Sequence, residues 1–350
     1  MSPLPVVRSL AEELEGMSRA MLTGIWVETF EPEDALKELT IAAKKTGGKI
    51  LQWDLHRGTE KVSFAGAQIH FEPISGAQGL SQALDQLEKS NDVAGQREIE
   101  REVAYLVLKN LHLALVPPLI QRLANLIWLG REKRHIVVVF APVVRIPIEL
   151  EKLFTVVEHK LPDRVALTRL AEGVIAPDPI AEVADLDRIL DAASGMTRIE
   201  AENAFSLSVI RHDRLDRDAV FSMKAQVFKR GLSGLSLYEG PENFASIGGH
   251  QWLKEFTSKL LSKREENPKF RPKGIICTGV SGGGKSLFCK ALGAEVGRPV
   301  LTLDVGGLMG GIVGQTEGNT RRAFQVIDAG PSSILMCRRK GLSLGRSKGR

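Results

Sequence analysis

Apolar and aromatic residues crowd the stretch from Gly24 to Phe30, and after Pro32 the apolar positions Ala35, Leu36, Leu39 and Ile41 recur at three- and four-residue spacing. The first pattern predicts a strand. The second predicts a helix that opens on proline and stops at Gly47-Gly48. Further along, Lys49 to Leu55, Val103 to Leu108 and the β-branched run His135 to Phe140 read as strands, with helices at Leu80 to Leu87 and Leu119 to Leu129 between them. Strands alternating with helices imply an α/β layer built on a largely parallel sheet. From Asp163 to Arg230 the pattern turns helical, with Ala, Leu, Glu and Arg repeating at helical spacing.

Gly231 to Gly240 is rich in Gly and Ser and predicts a flexible linker, after which a second α/β unit begins. Its expected elements are a helix at Gln251 to Leu261, a strand at Gly274 to Thr278, a helix from Lys285 to Val296 and a strand at Val300 to Leu303. A Gly-rich loop from Gly306 to Gly318, a helix from Asn319 to Ala329 and a strand at Ser333 to Cys337 complete the reading. The expected organisation is an α/β domain over 1–162, a helical subdomain over 163–230, the linker 231–240, a second core over 241–337 and a basic tail over 338–350.

Composition narrows the class. At 43% hydrophobic and 25% charged residues, the 350-residue chain can bury two or three cores. No apolar run approaches the roughly 18 to 20 residues needed to span a bilayer, and Met-Ser-Pro-Leu-Pro lacks a basic flank followed by an apolar core. A cytoplasmic protein without a membrane partner is the expectation. Cys277, Cys289 and Cys337 show neither C-x-x-C nor Cys/His spacing, so reduced thiols are expected rather than disulfides or a zinc site. Net charge is +5, but Arg338, Arg339, Lys340, Arg346, Lys348 and Arg350 supply more than all of it. The body of the chain is therefore not basic, and a nucleic-acid partner is not expected.

Gly279, Val280, Ser281, Gly282, Gly283, Gly284, Lys285 and Ser286 match G-x-x-x-x-G-K-[ST] between an apolar stretch and a helix. Glycines allow backbone N–H groups to converge on phosphates, and the following helix N-terminus favours negative charge. Lys285 is expected to reach the β- and γ-phosphates of ATP. The Ser286 hydroxyl is expected to ligate Mg²⁺, with Leu287 continuing the cradle into the helix.

The residues around this P-loop resemble AAA+ ATPases. Phe244-Ala245-Ser246-Ile247-Gly248-Gly249 is similar to the family segment whose Ile-Gly pair lies against adenine, which implies that role for Ile247 and Gly248. Gly311-Ile312-Val313-Gly314-Gln315-Thr316-Glu317, followed by Asn319, Arg321, Arg322 and Phe324, is similar to the pore loop and its helix, with Ile312 in place of the usual aromatic. A mobile surface connection without a pulling role is the competing reading of that loop.

The whole chain resembles the AAA-type ATPases encoded in cyanobacteria and, as a conserved reading frame, in plastids. That likeness implies a bacterial cytosol or a plastid stroma. It also implies a P-loop NTPase fold, a three-layer parallel sheet, in which a degenerate N-terminal copy without nucleotide and a helical lid-like segment precede the AAA core. Lys109-Asn110-Leu111-His112 falls where an acidic pair would end a strand. His135 to Pro142 with Ile146-Pro147-Ile148-Glu149-Leu150 resembles a sensor strand, and Gly195-Met196-Thr197 with Glu200-Ala201-Glu202 resembles the lid. A plain packing role for Lys109, Asn110 and His112 is the competing reading.

The chain departs from the family after Ser333 to Cys337. There an Asp-Glu pair would order Mg²⁺ and polarise water, and Arg338 and Arg339 stand instead. A guanidinium is no base at ordinary pH. Asp-Glu codons displaced by one inserted cytosine read CGA-CGA, so a frameshift or truncation with an incomplete second core is expected. Asp304, which ends Val300 to Leu303, is read as closing that strand rather than as a substitute Mg²⁺ ligand. The family role is a ring-forming ATPase that remodels a protein client, with ring assembly impaired in this copy. A nucleotide-dependent regulatory or binding module that does not hydrolyse ATP is the alternative, and another P-loop NTPase, such as a kinase or a DNA-dependent ATPase, is a third reading.

Overall fold

The computed structural model describes residues 9–65, 68–90, 102–176, 183, 185–231, 234–238, 240–262, 274–280, 282–296, 298, 300–304, 320, 323–324, 327 and 333–338. They form two compact units, 1–160 and 161–350.

In the first unit, α1 (Leu10–Arg19) starts on a capping box in which Ser9 and Glu12 each satisfy the other's backbone N–H. β1 (Gly24–Glu28) is buried throughout. α2 (Pro32–Thr46) begins on Pro32 and ends at Gly47, whose φ of 68° favours glycine. β2 (Lys49–Asp54), β3 (Gly58–Ala65) and β4 (Gln68–Pro73) follow, then α3 (Leu80–Ser90), β5 (Ala104–Lys109), α4 (Pro117–Lys133), β6 (His135–Ala141) and β7 (Thr155–Glu158).

The seven strands run in the order β4-β3-β2-β5-β6-β1-β7. Pairing is parallel from β2 to β7, while β3 adds antiparallel to β2 and β4 to β3. The sheet is sandwiched because its strands alternate between two cores. Ile136, Val138 and Phe140 of β6 join Leu14, Leu36 and Leu39 on one face. Val137, Val139 and Ala141 join Leu84, Leu123 and Ile127 on the other. Three layers result, and the central strands are apolar except at their ends because both faces are covered.

In the second unit α5 (Arg164–Ile175), α6 (Leu186–Ala193), α7 (Arg198–His212) and α8 (Arg217–Gly231) pack around Leu190, Met196, Phe205 and Val220. Thr197 and Glu200 form a capping box that starts α7. β8 (Leu235–Tyr238), α9 (Gln251–Ser262), α10 (Lys285–Val296), β9 (Val300–Asp304) and β10 (Ile334–Arg338) complete the described elements. The sheet order is β10-β9-β8, with β9 and β10 parallel and β8 antiparallel.

Two expectations are overturned here. The stretch read as a flexible linker contains β8, because Leu235 and Leu237 alternate inward onto Leu301 and Leu303. The strand expected at Gly274 to Thr278 is absent: the segment is irregular and solvent-facing, with Ile276 90% exposed. Apolar content does not make a strand without a ladder partner, and the edge of β9 not used by β10 is taken by β8. Within the helix expected over 319–329, Thr320, Ala323, Phe324 and Ile327 are helical among the described residues.

Candidate nucleotide-binding site

Gly279, Val280, Gly282, Gly283 and Gly284 form an open loop that feeds directly into α10. Gly282 and Gly284 have φ of 83° and 76°, conformations that a side chain would strain. Gly283 N–H donates to Val280 O at 3.2 Å and Gly284 N–H to Gly282 O at 2.9 Å, so the loop curls through two tight turns. Lys285, Ser286 and Leu287 are the first three residues of α10, where backbone N–H groups have no partner one turn earlier in the helix. The Lys285 ammonium folds back over the loop and donates to Gly279 O at 2.8 Å and Val280 O at 2.6 Å. These residues fit a polyphosphate. Glycine conformations, a helix N-terminus and a cation converge on one solvent-facing loop, where two loop carbonyls hold the Lys285 ammonium.

The segment carrying Ile247 and Gly248 lies beside this helix. Asn243 starts a short 3₁₀ turn over Phe244–Ser246, its side chain accepting from the N–H groups of Ala245 and Ser246. Phe244 stacks on Phe288 of α10 with centroids 5.5 Å apart. Lys254 of α9 holds the other side of the turn by donating to Phe244 O at 2.9 Å and to Ile247 O. Sequence reasoning missed the Phe244–Phe288 pair. The signal was available, since Phe288 follows Lys285 by one helical turn and so faces the same side.

Burial pushes the Cys289 thiol on α10 up to about 11, with Cys277 beside it adding to the shift. Gly293, two turns beyond the loop, permits close packing of α10: an added Cβ would lie 2.1 Å from Val300 Cγ2 and 2.9 Å from Arg298 O.

Asp304 closes β9, bonding through its N–H to Gly234 O at 2.7 Å, and stands across the parallel ladder from Arg338. Ser281, Ile312, Val313, Gly314 and Arg339 lie outside the described residues. In the first unit Lys109 ends β5 and its ammonium lies 2.7 Å from Glu33 Oε1. Asn110 adopts a left-handed conformation with φ of 53°. Burial, assisted by Arg145, lowers the His112 pKa.

Three family models match in succession. Residues 10–159 match the N-terminal domain of SpoVK-like AAA ATPases, residues 165–231 match their second domain, and residues 275–337 match the AAA family of ATPases associated with various cellular activities. The chain belongs to the AAA ATPase family, and its fold is of the P-loop NTPase type.

The chain is also similar to individual AAA proteins. The chain is 28% identical to the "Uncharacterized AAA domain-containing protein ycf46" of Guillardia theta, a match covering 66% of this chain and 47% of that protein. The corresponding protein of Trieres chinensis is 27% identical over 61% of this chain and 45% of its own length. The "ATPase family gene 2 protein" of Schizosaccharomyces pombe is 27% identical over 31% of this chain and 15% of its own length. The chain thus spans about half the length of the ycf46 relatives it matches. No helix among the described residues is long and apolar enough to cross a membrane.

Proposed function

We propose that this chain binds ATP with Mg²⁺ on the loop Gly279–Ser286 and, as its sequence stands, does not hydrolyse it. The observation that carries the reading is Lys285. Its ammonium sits over a glycine loop at the start of α10, within 2.8 Å of Gly279 O. Backbone N–H groups of the loop and of the first turn of α10 would hold the phosphates. Lys285 would neutralise the β- and γ-oxygens, Ser286 Oγ would ligate Mg²⁺, and Ile247 and Gly248 would contact the base. Mg²⁺ supplies charge neutralisation of the triphosphate.

Hydrolysis needs carboxylates at the end of β10, where the sequence carries Arg338 and Arg339. A nucleotide-dependent binding or regulatory module follows for the chain as it stands. Ring assembly and the remodelling of a protein client, with Ile312, Val313 and Gly314 at the pore, remain the proposed family role. A bacterial cytosol or plastid stroma is its proposed setting.

The test compares Mg²⁺-dependent binding of a fluorescent ATP analogue with phosphate release for the parent chain, Lys285→Ala, and the double variant Arg338→Asp, Arg339→Glu. Binding without turnover in the parent, and at least tenfold weaker binding in Lys285→Ala, support the proposal. Turnover by the parent that depends on Lys285 overturns the assignment of Arg338 and Arg339.

A further inference from the structure

In an open α/β sheet the carboxyl ends of the strands frame a crevice for ligands. At that edge of the first unit, β1 delivers Glu28, buried to 8% exposure, and the turn after it delivers Glu31, buried to 6%. α2 then opens on Pro32, which has no N–H to offer, followed by Glu33 and Asp34. Where the second unit presents glycine and lysine, the first presents several carboxylates, of which Glu33 is already paired with Lys109 at 2.7 Å, and the remaining ones suit a cation.

The strand β7 ends beside β1, with Glu158 paired to Glu28, and so brings in His159, whose N–H donates to Glu28 O at 3.0 Å. The His159 side chain is only 6% exposed. Its Nδ1 lies 2.8 Å from Thr29 Oγ1, which also accepts the Glu31 N–H at 2.9 Å. That contact turns Nε2 toward two carboxylates on one face of α2, at positions four apart. Nε2 is 3.8 Å from Asp34 Oδ2 and 3.8 Å from Glu38 Oε1, beyond hydrogen-bonding range. All three ligand atoms lie within 4.8 Å of one another. The second oxygen of Glu38 is oriented by the Ala11 N–H of α1 at 2.9 Å.

We propose that Asp34, Glu38 and His159 form a binding site for one divalent transition-metal ion of the Zn²⁺ class. One imidazole and two carboxylates are a donor set such ions accept, at bonds of about 2.0–2.2 Å. The three atoms need only draw inward to reach them. Neutral His159 would give its Nε2 lone pair to the metal while Nδ1–H donates to Thr29 Oγ1, the outer hydrogen bond that metal-bound histidines typically make. Two ionised carboxylates balance the charge of the ion, and water completes the coordination. The ion would tie the edge strand β7 to α2, and through Ala11 to α1.

Metal-free full-length protein titrated with CoCl₂ tests this. The expected result is one tightly held ion per chain, visible d–d absorption of a nitrogen and oxygen ligand set without a thiolate charge-transfer band, and displacement by Zn²⁺. His159→Gln and Asp34→Asn should each lose that absorption and weaken binding at least tenfold, whereas His56→Gln, altering an exposed histidine outside the cluster, should change neither. Should His159→Gln fail to fold, Glu38→Gln, which retains an oxygen for Ala11, gives the same reading. No stoichiometric Co²⁺ site in the parent, or a site unaltered in all three cluster variants, overturns the proposal.

Discussion

Phe244 lies stacked on Phe288, with ring centroids 5.5 Å and planes 20° apart, and this pair pins the turn before Ile247 to the first turn of α10. Aromatic pairs contribute about 0.5–1.5 kcal/mol beyond their area. Phe244→Ala should therefore weaken binding of a fluorescent ATP analogue by about three- to tenfold while leaving the Lys285 loop in place. Phe244→Leu should fall between. Unchanged affinity in Phe244→Ala would separate Ile247 and Gly248 from the nucleotide site.

The helical part of the second unit contains a cation that opposes its own folding. Lys224 is 3% exposed, and burial lowers its pKa to about 8 against the opposing pull of Asp191. Below pH 8 the lysine is protonated in both folded and unfolded chains and the cost is constant. From pH 8 to the unfolded value near 10.5, the unfolded chain holds the proton that the folded chain has lost, so stability rises with pH. A shift of that size corresponds to a cost of about 3 kcal/mol at neutral pH. Lys224→Met should raise the melting temperature at pH 7 and flatten the rise between pH 8 and 10. Asp191 keeps Arg164 as a partner at 2.7 Å in that variant. A lower melting temperature would show that Lys224 is worth more as a partner than it costs as a buried charge.

Gly293 answers to packing rather than helix propensity. Alanine is intrinsically better in a helix by about 1 kcal/mol, yet its Cβ would meet Val300 Cγ2 at 2.1 Å and Arg298 O at 2.9 Å. Overpacking of this kind costs about 1–3 kcal/mol. Gly293→Ala is therefore expected to lower the urea midpoint. Adding Val300→Ala should recover part of the loss, since it removes the nearer contact but not the carbonyl.

The cysteines should separate by reactivity. Cys337 is exposed, whereas burial and the neighbouring Cys277 hold the Cys289 thiol protonated well above neutral pH. Iodoacetamide at pH 7.5, followed by peptide mass mapping, should modify Cys337 first and Cys289 last, with the difference abolished in denaturant. Early labelling of Cys289 would contradict the raised pKa of this half-buried thiol.

The layered α/β character of the first unit is legible from sequence because its central strands are buried on both faces and therefore carry near-continuous apolar runs, as Ile136 to Ala141 shows. The hairpin of β3 and β4 is harder to see, because it lies at the sheet edge and mixes Lys61, Ser63, His70 and Glu72 with its apolar positions. The turn from β2 into β3 at Arg57-Gly58 and the alternation of Val62 with Phe64 were the signals available. Glycines around Leu235–Tyr238 disguised a strand as a linker, and Ile275-Ile276-Cys277 resembled a strand that has no ladder in the described structure. Strand pairing is a tertiary property that local pattern does not carry. The glycine loop is legible because its chemistry is local, whereas Asp34, Glu38 and His159 lie too far apart in sequence to suggest a cluster and meet only because β7 lands beside β1.

The acid-lined edge after β1 bears on stoichiometry. Two α/β sheets in one polypeptide invite the count of two nucleotides per protomer, but the first carries buried Glu28 and Glu31, with Asp34 close behind, at the edge where a triphosphate would lie. On the proposed reading, a saturation titration is expected to find one nucleotide per chain, and so to count protomers rather than domains.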